Sequence, residues 1–193
     1  MKLKNKKYSG FSFIEGILAV FLVSTGMVVV LSLISSSLKE SMNSRDQIIA
    51  SLLAQEGTEL VRNLRDNNWA QGLPAFSDLC DLSGGSPSCS HGNYIIDKDS
   101  SVIKYSANKK LNIDSNGYYV TSSGTATKFQ RRIVVLYYLG ESNTAAISAI
   151  IRSVVVWGPN GFNLINLNTL SSTCNSTTKC AFAETVLTRW GGN

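Results

Sequence analysis

A single carboxylate, Glu15, stands at the front of an apolar run with no charged side chain from Gly16 to Leu38. A carboxylate at hydrocarbon depth costs on the order of 2.5 kcal/mol or more unless it finds a partner or stays at the interface, so the chemistry open to Glu15 is ion pairing. Other reactive side chains are sparse. Four cysteines fall in two pairs, Cys80 with Cys89 and Cys174 with Cys180, all beyond the apolar run. His91 is the only histidine; two residues past Cys89 in a Gly- and Ser-rich stretch, it supports no Ser-His-Asp or Cys-His arrangement and reads as a surface-loop residue. A catalytic carboxylate pair is not indicated at Glu56 and Glu59 either, which read with Arg65 as a solvated face. No catalytic residue, and no enzyme activity, is assigned.

Four cysteines allow three connectivities, and loop proximity favours Cys80–Cys89 and Cys174–Cys180. In an oxidising compartment each bridge contributes about 2 to 3 kcal/mol by restricting the unfolded chain. Zinc would require the pairs to converge, and their eight and five intervening residues exceed the usual two to four. Asp97-Lys98-Asp99, with Asp114 and Asn116, has the alternate spacing of calcium ligands, but no complete EF-hand loop follows. Turn and strand-end chemistry is the better account, and neither a metal nor a cofactor is expected. Asn175-Ser176-Thr177 forms a formal glycosylation sequon, a feature of little weight by itself.

The formal charge of +5 looks basic, but four of the 18 Lys and Arg residues, Lys2, Lys4, Lys6 and Lys7, precede the apolar run. Without them the balance is 14 minus 13, or +1, and net charge gives nucleic-acid binding no support. Lys109-Lys110 and Arg131-Arg132, with Tyr105, Tyr118 and Tyr119 near in sequence, are the only hint of such a surface. Neighbours on a strand point to opposite faces, so Arg131 and Arg132 need not form one patch.

The elements that must position these residues begin with a helix. The 23 charge-free residues from Gly16 to Leu38 make about 35 Å at 1.5 Å per residue, enough to cross a bilayer. The lysines before it set the amino terminus inside and the remainder outside. A secretory signal also starts basic and turns apolar, but its apolar core is about 7 to 15 residues long and its small-residue junction follows the core; here Ser9-Gly10 precedes it. Apolar positions continue through Met42, Ile48, Ile49, Leu52, Leu53, Leu60, Val61 and Leu64 at three-and-four spacing, and no proline interrupts residues 11 to 66. One helix of about 55 residues, roughly 80 Å, is predicted, with Arg62 and Asp66 one turn apart, Asn67-Asn68 ending it and Trp69 as an apolar lid. Gly26, beside Ser24 and Thr25, is a point where it can bend in an assembly, or where another helix can pack closely.

Residues 70 to 92 form a Gly-, Ser- and Pro-rich loop, after which strand patterns take over. Short strands are predicted at Tyr94 to Ile96, Ser101 to Tyr105 and Tyr118 to Thr121. The two strong candidates are Phe129 to Leu139 and Ala146 to Trp157, rich in β-branched and aromatic residues and joined around Gly140-Glu141-Ser142-Asn143; an antiparallel hairpin is the simplest arrangement. Phe182 to Trp190 closes the domain as an edge strand or short helix. The fold class is α+β, with a long amino-terminal helix packed on a carboxy-terminal antiparallel sheet.

Gly10-Phe11-Ser12-Phe13-Ile14-Glu15, after a short Lys-rich leader, resembles the class III-type processing and methylation site of type IV prepilins and pseudopilins. The resemblance implies cleavage between Gly10 and Phe11 by a membrane aspartyl peptidase, N-methylation of Phe11, and pairing of Glu15 with the amino terminus of a neighbouring subunit. It also implies the lollipop shape of pilins. Ala54 to Trp69, and the looser series Asp114 to Tyr119, Thr127 to Ile133, Val154 to Trp157 and Leu187 to Trp190, resemble PilV-like minor pilins. Residues 70 to 92 and 158 to 180 carry no such resemblance.

The implied organisation is a cytoplasmic leader (1–10), a transmembrane or filament-core helix (11–38), its amphipathic continuation (39–69) and an extracytoplasmic β-rich domain (70–193). The implied function is that of a minor pilin or pseudopilin in a type IV pilus or type II secretion-like filament. Its implied partners are other pilin subunits, the prepilin peptidase and an inner-membrane assembly platform. The alternative is a single-span, membrane-anchored binding or enzymatic domain, for which the Gly10-Phe11 junction and Glu15 have no use.

Overall fold

The computed structural model describes residues 10, 12–79, 92–99, 101–104, 109–139, 146–158, 161–164, 174, 175 and 177–189. Helix α1 (Phe13–Ala70) runs for 58 residues with no proline to break it. It starts where the Ser12 carbonyl accepts the amide N–H groups of Glu15 and Gly16, at 2.9 and 3.2 Å. It continues through Gly26 without interruption.

The helix ends two residues later than Asn67-Asn68 would suggest. Gly72, at a φ of 72°, takes the left-handed position that glycine adopts without strain. Its N–H reaches the Trp69 carbonyl at 3.0 Å, and the Leu73 N–H reaches that of Asn68 at 2.9 Å, the paired bonds of a Schellman cap. Asn68 is therefore inside the helix and buried, its amide donating to the Ala75 carbonyl at 3.4 Å. Trp69 is 60% exposed and is not the lid; Phe76 and Leu79 fill that place in the core.

Contacts divide the chain into two units between Ser44 and Arg45. In the first, no described residue up to Ser44 is buried. The second has a core, and the helical residues buried in it are Asp46, Ala50, Leu53, Ala54, Gly57, Thr58, Val61, Leu64 and Asn68, a stripe at three-and-four spacing.

That stripe packs on a five-stranded antiparallel sheet made of β1 (Gly92–Ile96), β2 (Val102–Lys104), β6 (Gln130–Leu139), β7 (Ala146–Val156) and β8 (Cys180–Thr188), in the order β2-β1-β6-β7-β8. The predicted hairpin is its centre: β6 and β7 pair from Gln130–Val156 to Leu139–Ala146, with an irregularity at Tyr138–Leu139. The closing segment is an edge strand, β8, not a helix. Three two-residue strands, β3 (Asn112–Ile113), β4 (Tyr119–Val120) and β5 (Thr125–Ala126), form a second sheet in the order β4-β3-β5.

Alternation along the strands sets the two faces. Tyr94 and Ile96 from β1, Ile133, Val135 and Tyr137 from β6, and Ala149 and Ile151 from β7 join Val61 and Leu64 of the helix in the main core. Further toward the first unit's end of the domain helix, Ala50, Leu53 and Ala54 pack with Leu111, Phe129, Val155 and Trp157. The opposite face carries a smaller cluster of Val154, Val156, Phe162 and Cys180.

Candidate functional site

The first unit presents an apolar surface with one carboxylate at its front. Glu15 lies in the first turn of α1, where the positive end of the helix dipole favours a negative charge. Among the described residues its carboxylate has no hydrogen-bond or ion-pair partner. Gly10 is exposed, while Phe11 and the Lys-rich leader fall outside the described residues. Four of the six hydroxyls within the run close back on the helix: Ser24 donates to the Phe21 carbonyl at 2.9 Å, Thr25 to the same carbonyl at 3.0 Å, Ser35 to that of Leu31 at 2.9 Å and Ser36 to that of Leu33 at 2.9 Å. No hydroxyl of these four then needs water, which suits an apolar surround. α1 is long and apolar enough to cross a membrane, a property that an uncleaved signal sequence shares.

The second unit contains a polar centre that the sequence reading missed. Arg131 is 2% exposed, on the face of β6 that meets the helix. Its guanidinium donates to the Ile96 carbonyl at 3.1 Å and to the Leu53 carbonyl at 3.4 Å, and lies 3.3 Å from the carboxylate of Glu56. Glu56, its side chain still 39% exposed, is thus both solvated and the partner of a buried cation. Arg65 is also engaged, holding Asp66 at 2.7 Å and reaching the Thr188 carbonyl at 3.3 Å, while Arg62 pairs with Glu59. Of the three charges read as a solvated face, Glu59 is exposed, Glu56 is partly so, and Arg65 is mostly covered. Arg131 and Arg132 do point to opposite faces, and Arg132 lies over the ring of Phe162 at 4.3 Å.

The acidic residues weighed as calcium ligands serve turns and strand ends. Asp114 accepts the N–H groups of Asn116 and Tyr118, both at 2.9 Å, and holds Lys98 at 2.6 Å. The lysine, followed by the Tyr118 N–H, holds its carboxyl below the usual 3.8. Asp99 accepts from the hydroxyl and N–H of Ser101, which lower its carboxyl in the same way. Asp97 is buried and accepts from the N–H and hydroxyl of Thr121. No cluster of metal-ligating side chains occurs among the described residues.

Two tyrosines fasten the segment after the helix. The hydroxyls of Tyr94 and Tyr137 both donate to the Leu79 carbonyl, at 2.6 and 3.1 Å. Burial, and then the neighbouring Tyr94, push the Tyr137 hydroxyl above its ordinary range, so it remains a donor at any physiological pH. Cys174 and Cys180 form the predicted disulfide, with Cα atoms 4.9 Å apart. Cys80, Cys89 and His91 lie outside the described residues. The membrane-compatible helix and the disulfide suit a membrane-attached chain whose domain lies in an oxidising compartment.

No family model, curated protein or solved structure matches the chain.

Proposed function

We propose that this chain is a structural subunit, a minor pilin or pseudopilin of a type IV pilus or type II secretion-like filament, made as a precursor and processed between Gly10 and Phe11. The observation that carries the proposal is the lone carboxylate of Glu15 in the first turn of a helix whose large apolar side chains from Phe13 to Leu38 are all exposed. Cleavage would place the charged amine of Phe11 in the apolar phase, where it requires an anion; the Glu15 of a neighbouring subunit supplies one. Assembly then buries the apolar half-helix among the helices of other subunits, replacing lipid contact with close packing.

In this reading the precursor sits in the inner membrane with its amino terminus inside, and the subunit leaves it for a filament on the outer side. The prepilin peptidase is a partner as the processing and N-methylating enzyme, and the assembly platform as the machine that extracts the subunit. The carboxy-terminal motifs support a minor over a major subunit.

The test is mass spectrometry of the amino-terminal peptide from sheared surface filaments and from membranes. A start at Phe11 with one added methyl group, found in the sheared fraction, is the expected result. An intact Met1 to Gly10 leader in cells with an active prepilin peptidase overturns the proposal and leaves a single-span anchored domain.

A further inference from the structure

The contact between helix and sheet poses a problem of position. Apolar packing is non-directional, and the buried stripe of α1 repeats every three or four residues. A shift by one turn, about 5.4 Å along the axis, returns side chains to the same face of the sheet. Leu53, Ala54, Val61 and Leu64 alone therefore discriminate weakly between neighbouring positions.

Arg131 discriminates strongly. It is anchored on the sheet side, where the pairing of β1 with β6 ends at Tyr94–Ile133 and the guanidinium takes the Ile96 carbonyl beyond that end. On the helix side it addresses two groups one residue-turn apart, the Leu53 carbonyl and the Glu56 carboxylate. Both would be lost if the helix moved by a turn, leaving a buried cation without its counter-charge.

The slot for this side chain is made by Gly57. A Cβ there would stand 2.1 Å from the Ser153 hydroxyl oxygen and 3.2 Å from Cδ of Arg131. The helix can approach the sheet with the arginine beneath it only because that position has no side chain. Two buried polar atoms of this cluster, Nε of Arg131 and Oγ of Ser153, make no hydrogen bond. Each such atom is a cost to stability, so the cluster is not what an apolar interface optimised for stability would contain.

We propose that Arg131 is a register pin: it fixes where along its axis the domain half of α1 sits on the sheet, through Glu56 and the Leu53 carbonyl, at no net gain in stability. The inference does not depend on the filament reading, since either a filament subunit or an anchored domain requires one position of the helix on the sheet.

The experiment uses the full chain in detergent micelles, with thermal unfolding and peptide-level hydrogen exchange measured on the Arg131→Met and Glu56→Gln variants. Met has similar length and no charge, so Arg131→Met is expected to melt at or above the unmodified protein. Its Leu53–Val61 peptides are expected to exchange as two populations, or about tenfold faster, equal to about 1.4 kcal/mol of local opening, with β6 and β7 unchanged. Unaltered exchange in those peptides overturns the proposal, as does lower melting with faster exchange throughout the sheet, which is the signature of ordinary core loss. Should Arg131→Met fail to fold, Glu56→Gln decides: exchange raised only at Leu53–Val61 supports the pin, and unaltered exchange refutes it.

Discussion

One uninterrupted helix has two halves with opposite relations to the rest of the chain. From Phe13 to Leu38 its large apolar side chains are all exposed, whereas from Ala50 to Leu64 one face is buried against the sheet. The backbone chemistry is the same, so the difference lies in which contacts the chain supplies for itself. The domain half finds its apolar partner in β6 and β7; the first half has to find one in lipid or in other helices. An apolar surface of that size without a partner is an interaction surface by its physics alone.

The comparison breaks most visibly if charge is placed in the first half. Val23→Asp with Val30→Asp is expected to cost about 3 kcal/mol per residue, about 6 kcal/mol in all, in transfer to the bilayer. Carbonate extraction of membranes should release the double variant while the unmodified chain stays in the pellet. Thermal unfolding of the domain should be unchanged. A variant retained in the membrane would show that this half is not held there by its hydrophobicity.

The same substitution in both halves sharpens the contrast. Leu53 is 3% exposed and Leu22 is 59% exposed. Leu53→Ala should destabilise the domain by about 3 kcal/mol, through lost transfer energy and the cavity left behind. Leu22→Ala should leave domain melting within error. Equal effects in a denaturant titration would mean that the first half contributes to the domain's stability after all.

Two glycines repeat the experiment at smaller amplitude. A Cβ at Gly57 meets Ser153, whereas at Gly26 it meets nothing within 4 Å. Gly57→Ala should cost about 2 kcal/mol by overpacking, measured by thermal unfolding. Gly26→Ala should instead strengthen the isolated helix by about 1 kcal/mol, seen as helicity in micelles by circular dichroism. Under the proposed filament role, impaired filament recovery with Gly26→Ala would assign that glycine to close helix packing.

Much of this fold was legible because its signals are local. The lack of proline and the continued periodicity gave the length of α1, and the Val- and Ile-rich runs gave β6 and β7 to within one residue at their ends. The helix end was misplaced because the Schellman cap is set by Gly72, four residues beyond Asn68, and only the left-handed φ makes it a stop. Arg131 was missed although a signal existed. It shares strand parity with Phe129, Ile133, Val135 and Tyr137, all apolar, which places it on the inward face. Gly57, set among Leu53, Ala54 and Val61, likewise marked a close approach. What no pattern within the chain reveals is the partner of Arg131, because Glu56 meets it across a sequence gap of 75 residues, 131 minus 56.

Two carboxylates carry the comparison to its smallest scale. Glu15 has no partner among the described residues, whereas Asp114 has three donors, the N–H groups of Asn116 and Tyr118 and the ammonium of Lys98. These donors favour the ionised form, and the Asp114 carboxyl is accordingly lowered from 3.8, with Lys98 the largest cause. A carboxylate depressed in the folded state contributes order that is present above its unfolded value and lost as pH falls through the folded one. The turn at Asp114 to Tyr118 should therefore hold at pH 5 and loosen only below 3.8, with the amide signals of Asn116 and Tyr118 moving together in an NMR titration. Lys98→Met should bring the midpoint back toward 3.8, and Asp114→Asn should abolish the transition. A midpoint at or above 3.8 in the unmodified protein would mean that the donors seen around Asp114 do not hold its charge in solution, and that this loop is as partnerless as the front of the helix.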